Sequence, residues 1–336
     1  MCAPTSGRRW PRPSANGANL TIRRRWRCTM SPFWKWWTVP SRTASGCRSQ
    51  FYNSITQEHL MSRLSVSKIK TNPVTDKLRN GQPAVGTWLT LASPVAAESI
   101  AHLGWDWLVV DAEHSPVGFE TMVGCFRAVQ LGGAAPMARV PWNDTIWIQR
   151  TLDAGAFGLV VPMVNTAADA KNVVSNMRYA IKGQRSFGGS RVAPYIDGDY
   201  RTWADEHLAV IVMIETAQAV ENAEAIMAVE GVVGCFIGPN DLALSMGLTQ
   251  RDMGPGTQHE AAMMEVLAAC KKRGKAAGKH CFSAVEVTQR IGQGFQFLAL
   301  LSDGALMAKA AREEFSAIDF TGAGASEGEQ VKGALY

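Results

Sequence analysis

The sequence lacks the features that would assign it to several common classes of protein. It has no apolar stretch of the roughly 20 residues that a membrane-spanning helix needs. Its seven cysteines are scattered and odd in number, and no two of them form a C-x-x-C pair, which argues against a disulfide scaffold or a cysteine-based metal site. We therefore expect a soluble protein without a membrane partner, located in a reducing compartment such as the cytoplasm.

Acidic residues are missing from the first 57 positions, which carry nine arginines and one lysine. Because these ten belong to a total of 34 basic residues, residues 58–336 carry 24 basic and 29 acidic side chains. The basicity of the protein is therefore a property of its first segment. The rest of the chain has no basic surface suited to a phosphate backbone, so we expect no nucleic-acid partner.

The first segment also has no sustained apolar period, although it holds five of the eleven tryptophans. We predict three regions: an extension over residues 1–60, a barrel domain over 61–320 and a tail over 321–336. A loosely ordered extension is our first interpretation of residues 1–60. An organelle presequence and an upstream start codon, with Met30 or Met61 as the true start, are the alternatives.

From about residue 74 the chain alternates regularly between short apolar runs and segments with helical periodicity. The eight predicted strands are Ala84–Leu89, Trp107–Val110, Pro136–Val140, Gly158–Val161, Ala209–Ile214, Val232–Ile237, Ala276–Cys281 and Phe295–Leu301. Between two of them, the pattern predicts a helix over Ala217–Val229 capped at Gly231, and His259–Arg273 followed by Gly274 predicts another.

Continuously apolar strands separated by helices indicate a parallel sheet that is covered on both faces. Eight such units in about 240 residues predict a closed (β/α)8 TIM barrel. An open, doubly wound sheet is the competing fold, and it would carry a glycine-rich phosphate fingerprint after its first strand, which this sequence lacks.

Charged and polar side chains follow four of the predicted strands directly. In a TIM barrel these positions lie on the face that holds the active site. The clusters are Asp111-Ala-Glu113-His114, Arg139-Val-Pro-Trp142-Asn-Asp144, Glu215-Thr216 and Gly238-Pro-Asn-Asp241. The sequence therefore predicts that these side chains converge on one site.

Glu215 and Asp241 would repel each other at adjacent strand ends unless a positive charge lay between them. With no histidine or cysteine in the pair, an oxygen-rich site suits a hard cation: Mg²⁺, or else Mn²⁺ or Co²⁺. A 2-oxo acid would complete the coordination through a carboxylate oxygen and its keto oxygen. The alternative is that one carboxylate only caps the N-terminus of a helix.

Arg139 leaves an apolar strand, where an unpaired guanidinium would be costly. It either pairs with a carboxylate or faces an anion that forms during a reaction. His114 lies close in sequence to Asp111 and is a candidate general base oriented by that carboxylate. A histidine after a strand also often has only a structural role, and the residues alone leave this open.

At these positions the sequence resembles the HpcH/HpaI family of class II 2-oxo-acid aldolases. The likeness covers roughly residues 74–315 in six ordered blocks: Trp107–Pro116, Met137–Asp144, Leu152–Ala156, Leu159–Met163, Ile214–Thr216 and Phe236–Leu242. The resemblance implies that Glu215 and Asp241 are the metal ligands and that Arg139 stabilises the enolate oxygen. It also implies that His114 is the general base and that Asp153 supports it.

The resemblance further implies that the backbone at Gly238, Pro239 and Asn240 holds the pyruvyl carboxylate, and that the protein assembles as a hexamer. Trp142 and the loop Arg185–Arg191 are candidates for a cover that excludes water. This chain departs from the aldolases at two positions. Met213 replaces a glutamine before the metal-binding glutamate, and Asn240 replaces a small residue before the metal-binding aspartate.

The activity we expect first is formation of pyruvate enolate by decarboxylation of oxaloacetate and its addition to a carbon acceptor such as a 2-pyrone. Loss of CO₂ needs no base, which fits a changed environment around His114. A class II aldolase that cleaves 4-hydroxy-2-oxo acids is the main alternative. The others are a Schiff-base aldolase using Lys279, an acyl-CoA lyase, and a barrel that binds 2-oxo acids without catalysis.

Overall fold

The computed structural model describes residues 68–319, so the predictions made for residues 1–60 and 321–336 lie outside the described residues. Eight parallel strands pair in chain order, and the eighth closes on the first to form a barrel. The predicted TIM-barrel architecture is confirmed. No helix within residues 68–319 has the length and the apolar character that a membrane span requires.

The strands agree closely with the apolar runs in the sequence. They are β1 Ala84–Leu89, β2 Trp107–Asp111, β3 Ala135–Arg139, β4 Gly158–Val161, β5 Ala209–Ile214, β6 Gly234–Ile237, β7 Ala276–Cys281 and β8 Phe297–Ser302. The largest differences are at the starts of β6 and β8. Val232 and Phe295 are only 1% exposed, yet they precede the hydrogen-bonded ladder, so the apolar run marks burial and extends further than the strand.

Twelve α-helices surround or flank the strands in the described part of the chain. They are α1 Pro73–Arg79, α2 Pro94–Ala101, α3 Phe119–Leu131, α4 Thr145–Ala154, α5 Ala167–Met177, α6 Tyr200–His207, α7 Ala217–Glu221, α8 Ala223–Met227, α9 Pro239–Ser245, α10 Gln258–Arg273, α11 Ala284–Gln293 and α12 Asp303–Ser316. The helix predicted before Gly274 is confirmed as α10, and Gly274 caps it in the left-handed conformation.

The single helix predicted over Ala217–Val229 with a cap at Gly231 is wrong in two respects. First, the chain forms two short helices there, α7 and α8. They meet at Asn222, whose side-chain amide donates to the Asn165 carbonyl at 2.9 Å. Second, the C-cap of α8 is Ala228, so Gly231 does not cap the helix. Gly231 instead serves the following turn with a φ of 93°, a conformation that glycine adopts without strain.

Tightly packed apolar side chains fill the barrel and the layer between the barrel and its helices. Trp107 stacks on Phe297 with ring centroids 4.3 Å apart, and Phe236 meets Phe297 edge to face at 6.0 Å. These three rings are at most 1% exposed. Interlocking aromatic and branched side chains make a rigid core, and this rigidity fixes where each strand ends.

Removal of residues 1–60 should leave a folded barrel, because all eight strands and their helices lie between residues 73 and 316. We expect the shortened chain to stay soluble and to unfold with an unchanged midpoint, as thermal melting followed by circular dichroism would show. Insoluble protein, or a midpoint lowered by more than about 5 °C, would contradict the prediction.

Candidate functional site

A cavity of about 220 Å³ opens among the carboxyl ends of the strands. Its walls come from the ends of seven of the eight strands and carry apolar as well as charged and polar side chains. The lining residues are Trp88, Thr90, Asp111, His114, Arg139, Met213, Phe236, Gly238, Pro239, Asn240, Asp241, His280 and Ser302. Three of the four polar clusters selected from the sequence supply lining residues of this cavity, and Glu215 of the fourth lies beside Gly238 in its wall.

Arg139 is fixed at this site by two acidic side chains. Its Nε and Nη2 donate to the two carboxylate oxygens of Asp111 at 2.9 and 2.7 Å, and its Nη1 lies 3.1 Å from Glu113 Oε2. The guanidinium also lies 4.7 Å from the ring centroid of Trp88. Asp111 and Arg139 end neighbouring strands in the same register position, which makes this two-pronged contact possible.

Asp111 therefore orients Arg139 and does not orient the imidazole of His114. Asp111 is 3% exposed, and its Oδ1 also accepts the backbone N–H groups of Glu113 and His114 at 3.1 and 3.3 Å. The His114 side chain is 64% exposed, with its Nε2 3.8 Å from Glu113 Oε2. The interpretation of Asp111 as the partner of the imidazole is corrected by this geometry. The role of His114 as a base stays a prediction.

Glu113 is a site residue to which sequence reasoning gave no role. Burial raises the pKa of its carboxyl group to about 7, with Arg139 opposing the shift and the negative charges of Asp111 and Asp241 adding to it. Its position two residues after the end of β2 was the sequence signal that could have identified it as a site residue. Only the contact with Arg139 shows that it holds the guanidinium in place.

Glu215 follows β5 and is 3% exposed. Its Oε1 accepts the backbone N–H of Met163 at 2.7 Å, and Met163 adopts the left-handed conformation at φ 55°, which costs free energy in a residue with a side chain. Its Oε2 lies on the side of Gly238, where a Cβ atom would approach it to 2.7 Å. Burial raises the pKa of Glu215 to about 7, and the charges of Glu113 and Asp241 add to this effect.

The segment Gly238–Asp241 forms the side of the cavity next to Glu215, and Asp241 is exposed to it. The N-cap of α7 is Thr216 and that of α9 is Gly238, so neither Glu215 nor Asp241 caps a helix. The structural alternative for these carboxylates is thereby excluded. His259 of α10 steadies the segment, because its Nε2 lies 2.8 Å from the carbonyl oxygen of Pro239.

Two predicted site residues lie away from the cavity in the described chain. Asp153 is near the end of α4, with its Oδ1 2.6 Å from Nη2 of Arg185, and the described contacts of His114 do not include it. Trp142 is 55% exposed and does not line the cavity. The loop Arg185–Arg191 packs against the end of α4, where the Arg191 N–H donates to the Asp153 carbonyl, and it does not line the cavity either.

Met213 and Asn240, the two departures from the aldolase pattern, both line the cavity. Met213 is 1% exposed, and its Cε atom would lie 3.2 Å from a Cβ atom on Gly238. A thioether therefore borders the carboxylate site where the family pattern has an amide. Asn240 is exposed at the rim, so the larger side chain fits without displacing the backbone.

Trp88 and His280 line the cavity as well, and sequence reasoning missed both. The Trp88 indole N–H donates to His280 Nδ1 at 3.1 Å. Burial lowers the pKa of His280 to about 4, and the neighbouring positive charge of Lys279 adds to the shift. A histidine inside an otherwise apolar strand was the available signal, but the sequence did not show which face of the strand it occupies.

Lys279 points away from the cavity, because successive residues of a strand face opposite sides. Its amine bonds to the carboxylate of Glu286 on α11, in the layer between barrel and helices, and its side chain is 3% exposed. The Glu286 carboxylate also lies near Arg290. The hypothesis of a Schiff base on Lys279 is wrong for this structure, since the amine neither lines the cavity nor is free.

Borohydride treatment in the presence of pyruvate should therefore leave Lys279 unmodified, as peptide mass analysis would show. Lys279→Met should retain carbon–carbon bond chemistry while lowering the free energy of unfolding by up to about 3 kcal/mol, because the partly buried Glu286 loses its contact with the lysine amine. Trapping of a pyruvyl adduct at Lys279 would refute this assignment.

Comparison with known proteins bears directly on the chemistry of this site. Residues 84–310 match the model of the HpcH/HpaI aldolase/citrate lyase family. The chain belongs to this family. The hydroxypyruvate/pyruvate aldolase of Rhizorhabdus wittichii is 37% identical over 246 residues, which cover 72% of this chain and 96% of the relative. The 4-hydroxy-2-oxo-heptane-1,7-dioate aldolase of Salmonella dublin is 35% identical over 243 residues, covering 71% and 92%.

Solved structures of the family share the barrel. A HpcH/HpaI family protein from Burkholderia cenocepacia superimposes with a TM-score of 0.69 at 34% identity, covering 73% of this chain and 98% of that one. Macrophomate synthase superimposes with a TM-score of 0.62 at 23% identity, covering 73% and 92%, and this likeness shows the fold alone. The family resemblance is confirmed, and membership makes the protein a carbon–carbon lyase rather than a binding barrel without catalysis.

Proposed function

We propose that the protein is a metal-dependent class II aldolase that forms the enolate of a 2-oxo acid such as pyruvate at the cavity described above. The observation that carries the proposal is that two carboxylates, Glu215 and Asp241, lie near a guanidinium that is already fixed in place. Arg139 needs no rearrangement to face a developing negative charge, because Asp111 and Glu113 hold it.

The side chains at the cavity fit a divalent cation. Glu215 is buried with a raised pKa and a second carboxylate nearby, and a positive charge would relieve both the burial cost and the repulsion. Within residues 68–319, no group of three or more His, Cys, Asp or Glu side chains is arranged to hold a metal. Glu215 and Asp241 would be its two protein ligands, with substrate and water oxygens at the other positions. A bound Mg²⁺, or Mn²⁺ or Co²⁺ in its place, would supply Lewis-acid stabilisation of charge on the keto oxygen.

Other residues of the cavity would bind the substrate, stabilise the enolate and accept the proton. The backbone at Gly238, Pro239 and Asn240 borders the place where the substrate carboxylate would bind, and Arg139 would stabilise the enolate oxygen. His114 is the candidate that would accept the proton in aldol chemistry. The nearest carboxylate oxygen to its exposed imidazole is Glu113 Oε2 at 3.8 Å, so His114 is held less firmly than Arg139.

Proton exchange tests this proposal without requiring the identity of the aldehyde. The protein should exchange the C3 protons of pyruvate in D₂O, as NMR would show, and EDTA should stop the exchange until Mg²⁺ is added in excess. Exchange that persists in EDTA, or no exchange under any metal condition, would overturn the proposal. Addition of aldehydes should then give 4-hydroxy-2-oxo acids.

Decarboxylation of oxaloacetate with addition of the enolate to an acceptor such as a 2-pyrone is a second candidate activity. Met213 favours it, since an apolar side chain replaces the family's glutamine beside Glu215, and loss of CO₂ requires no base. Oxaloacetate incubated with and without EDTA, with CO₂ and pyruvate followed, tests the first step.

The expected hexamer is a separate prediction that light scattering coupled to gel filtration would test.

A further inference from the structure

The carboxylate of Glu215 has one preferred orientation, because one of its two oxygens is already engaged. Oε1 accepts the backbone N–H of Met163 at 2.7 Å, and Oε2 lies on the side of Gly238, in the wall of the cavity. The terminal torsion of a glutamate side chain is broad, so a carboxylate without such a contact would turn easily. The N–H of Met163 therefore decides which oxygen of Glu215 is directed towards Gly238–Asp241.

The backbone of Met163 adopts a conformation that needs support from its surroundings. Its φ of 55° lies in the left-handed region, where a side chain crowds the backbone, and such a residue persists only when neighbouring contacts enforce it. β4 ends at Val161, two residues earlier, so the pairing of the strands does not hold Met163 in place. The enforcing contact must come from outside the barrel sheet.

The side chain of Asn165 makes that contact. Its Nδ2 donates to the carbonyl oxygen of Met163 at 3.3 Å, and its Oδ1 accepts the hydroxyl of Thr216. The Thr216 oxygen itself accepts the N–H of Ala219 at 3.0 Å, which leaves the hydroxyl proton for Asn165. These two contacts orient the amide with its nitrogen towards Met163.

The backbone of Asn165 is anchored independently of its side chain. Its N–H donates to Oδ2 of Asp169 at 3.1 Å, and its carbonyl oxygen accepts Nδ2 of Asn222 at 2.9 Å. Asp169 belongs to the capping box at the start of α5, and Asn222 lies where α7 meets α8. The amide of Asn165 therefore extends from a fixed point and bridges the loop after β4 to the residue that follows Glu215.

We propose that Asn165 is a positioning residue that keeps the Met163 peptide left-handed, so that this peptide orients Glu215 towards the metal. Asn165 does not itself line the cavity. The inference rests on the proposed function, because it takes Glu215 to be a metal ligand. Without the Asn165 amide, the Met163 peptide should relax and withdraw its N–H from Glu215, and the loss of such a supporting contact typically weakens metal binding by about 10- to 100-fold.

The experiment separates the clamp from its consequence. Asn165→Ala removes both side-chain contacts and keeps the two backbone bonds, and Asn165→Leu does the same while keeping the size of the side chain. Met163→Gly is the rescue variant, because glycine adopts the left-handed conformation without crowding. Asn172→Ala is the matched control, since this exposed asparagine of α5 also makes two side-chain amide bonds, both to other asparagines.

Calorimetric titration with Mg²⁺ alone would measure the affinity for the metal. We expect both Asn165 variants to bind Mg²⁺ at least about 10-fold more weakly than the wild type, and Asn172→Ala to stay within about 2-fold of it. Asn165→Ala combined with Met163→Gly should stay within about 3-fold of Met163→Gly alone, because the two residues act through one contact. At saturating Mg²⁺, C3 proton exchange of pyruvate by Asn165→Ala should return close to the wild-type rate.

Hydrogen exchange of the Met163 amide in metal-free protein, followed by mass spectrometry, is a readout independent of turnover. Asn165→Ala should accelerate this exchange by about 10-fold or more, because the amide loses its bond to Glu215, and the thermal midpoint should identify any general loosening of the barrel. The control should leave the exchange of this amide unchanged.

Wild-type affinity for Mg²⁺ in folded Asn165→Ala or Asn165→Leu would overturn the inference. Equal losses of affinity with and without Met163→Gly would also overturn it, because Asn165 would then act by another route. Absence of Mg²⁺ binding by the wild type would instead be the failure of the proposed function. In that case the exchange of the Met163 amide still decides the clamp, since an unchanged rate in Asn165→Ala would refute it.

Discussion

Glu215→Gln and Asp241→Asn should each abolish metal-dependent turnover while leaving the barrel folded. Each substitution removes one of two anionic oxygen donors, so half of the protein charge that faces the cation is lost, and Mg²⁺ gives up its hydration water reluctantly. Glu215 directly follows β5 and Asp241 lies in the first turn of α9, and the amides are similar in size to the acids, so the packing of the barrel should be kept. We expect pyruvate exchange to fall by at least about 10³-fold and Mg²⁺ binding to become undetectable by calorimetry.

Glu221→Gln is the matched control, because this exposed glutamate ends α7 only six residues after Glu215. It should bind Mg²⁺ and exchange pyruvate protons like the wild type. Near-normal exchange by Glu215→Gln or Asp241→Asn in chelator-treated buffer would refute the metal assignment.

Glu215→Gln should be more stable than the wild type when metal is removed and the pH is high. Burial, together with the charges of Glu113 and Asp241, raises the pKa of Glu215 to about 7 in the folded chain. A carboxyl group with a raised pKa contributes stability below its ordinary pKa, and that stability is lost as the pH rises through about 7. In EDTA, Glu215→Gln should therefore melt above the wild type at pH 8, and the difference should shrink towards pH 5. A difference that grows on acidification would contradict this account.

Arg139→Ala should reduce enolate formation far more than His114→Ala does. The guanidinium stabilises charge that develops on the substrate, and loss of such a donor costs about 10²–10³ in rate in well-studied enzymes. His114 is largely exposed and is not held by a carboxylate. In the decarboxylation of oxaloacetate, which needs no base, we expect His114→Ala to lower the rate by less than about 10-fold.

Arg139→Ala also leaves Asp111 buried and unpaired, which we expect to destabilise the fold by about 3–5 kcal/mol. Arg139→Lys keeps the positive charge but loses the two-pronged contact with Asp111, so it serves as the second variant. It should be better folded than Arg139→Ala and intermediate in rate. If His114→Ala loses more decarboxylase activity than both arginine variants, the base-independent mechanism is wrong.

The sequence by itself determined the barrel and the end of the barrel that holds the site. Eight apolar runs of strand length, separated by helical segments, permit few other folds, since strands with two apolar faces must be buried on both. Polar residues directly after such runs fall at the carboxyl ends of the strands. Glu215, Asp241, Arg139 and Asp111 all stand near such strand ends. Asp241, Arg139 and Asp111 line the cavity, and Glu215 lies beside Gly238 in its wall.

Only the tertiary structure decided which face of a strand each polar residue occupies and which partner it meets. In β7 the order Lys279-His280 does not reveal that the lysine faces α11 and the histidine faces the cavity, because both faces of a barrel strand are buried and the apolar pattern is the same on each. Asp153 was placed beside His114 by resemblance, yet α4 carries it to Arg185. Partners far apart in the chain, such as Trp88 and His280, are fixed by closure of the barrel, which no local pattern encodes.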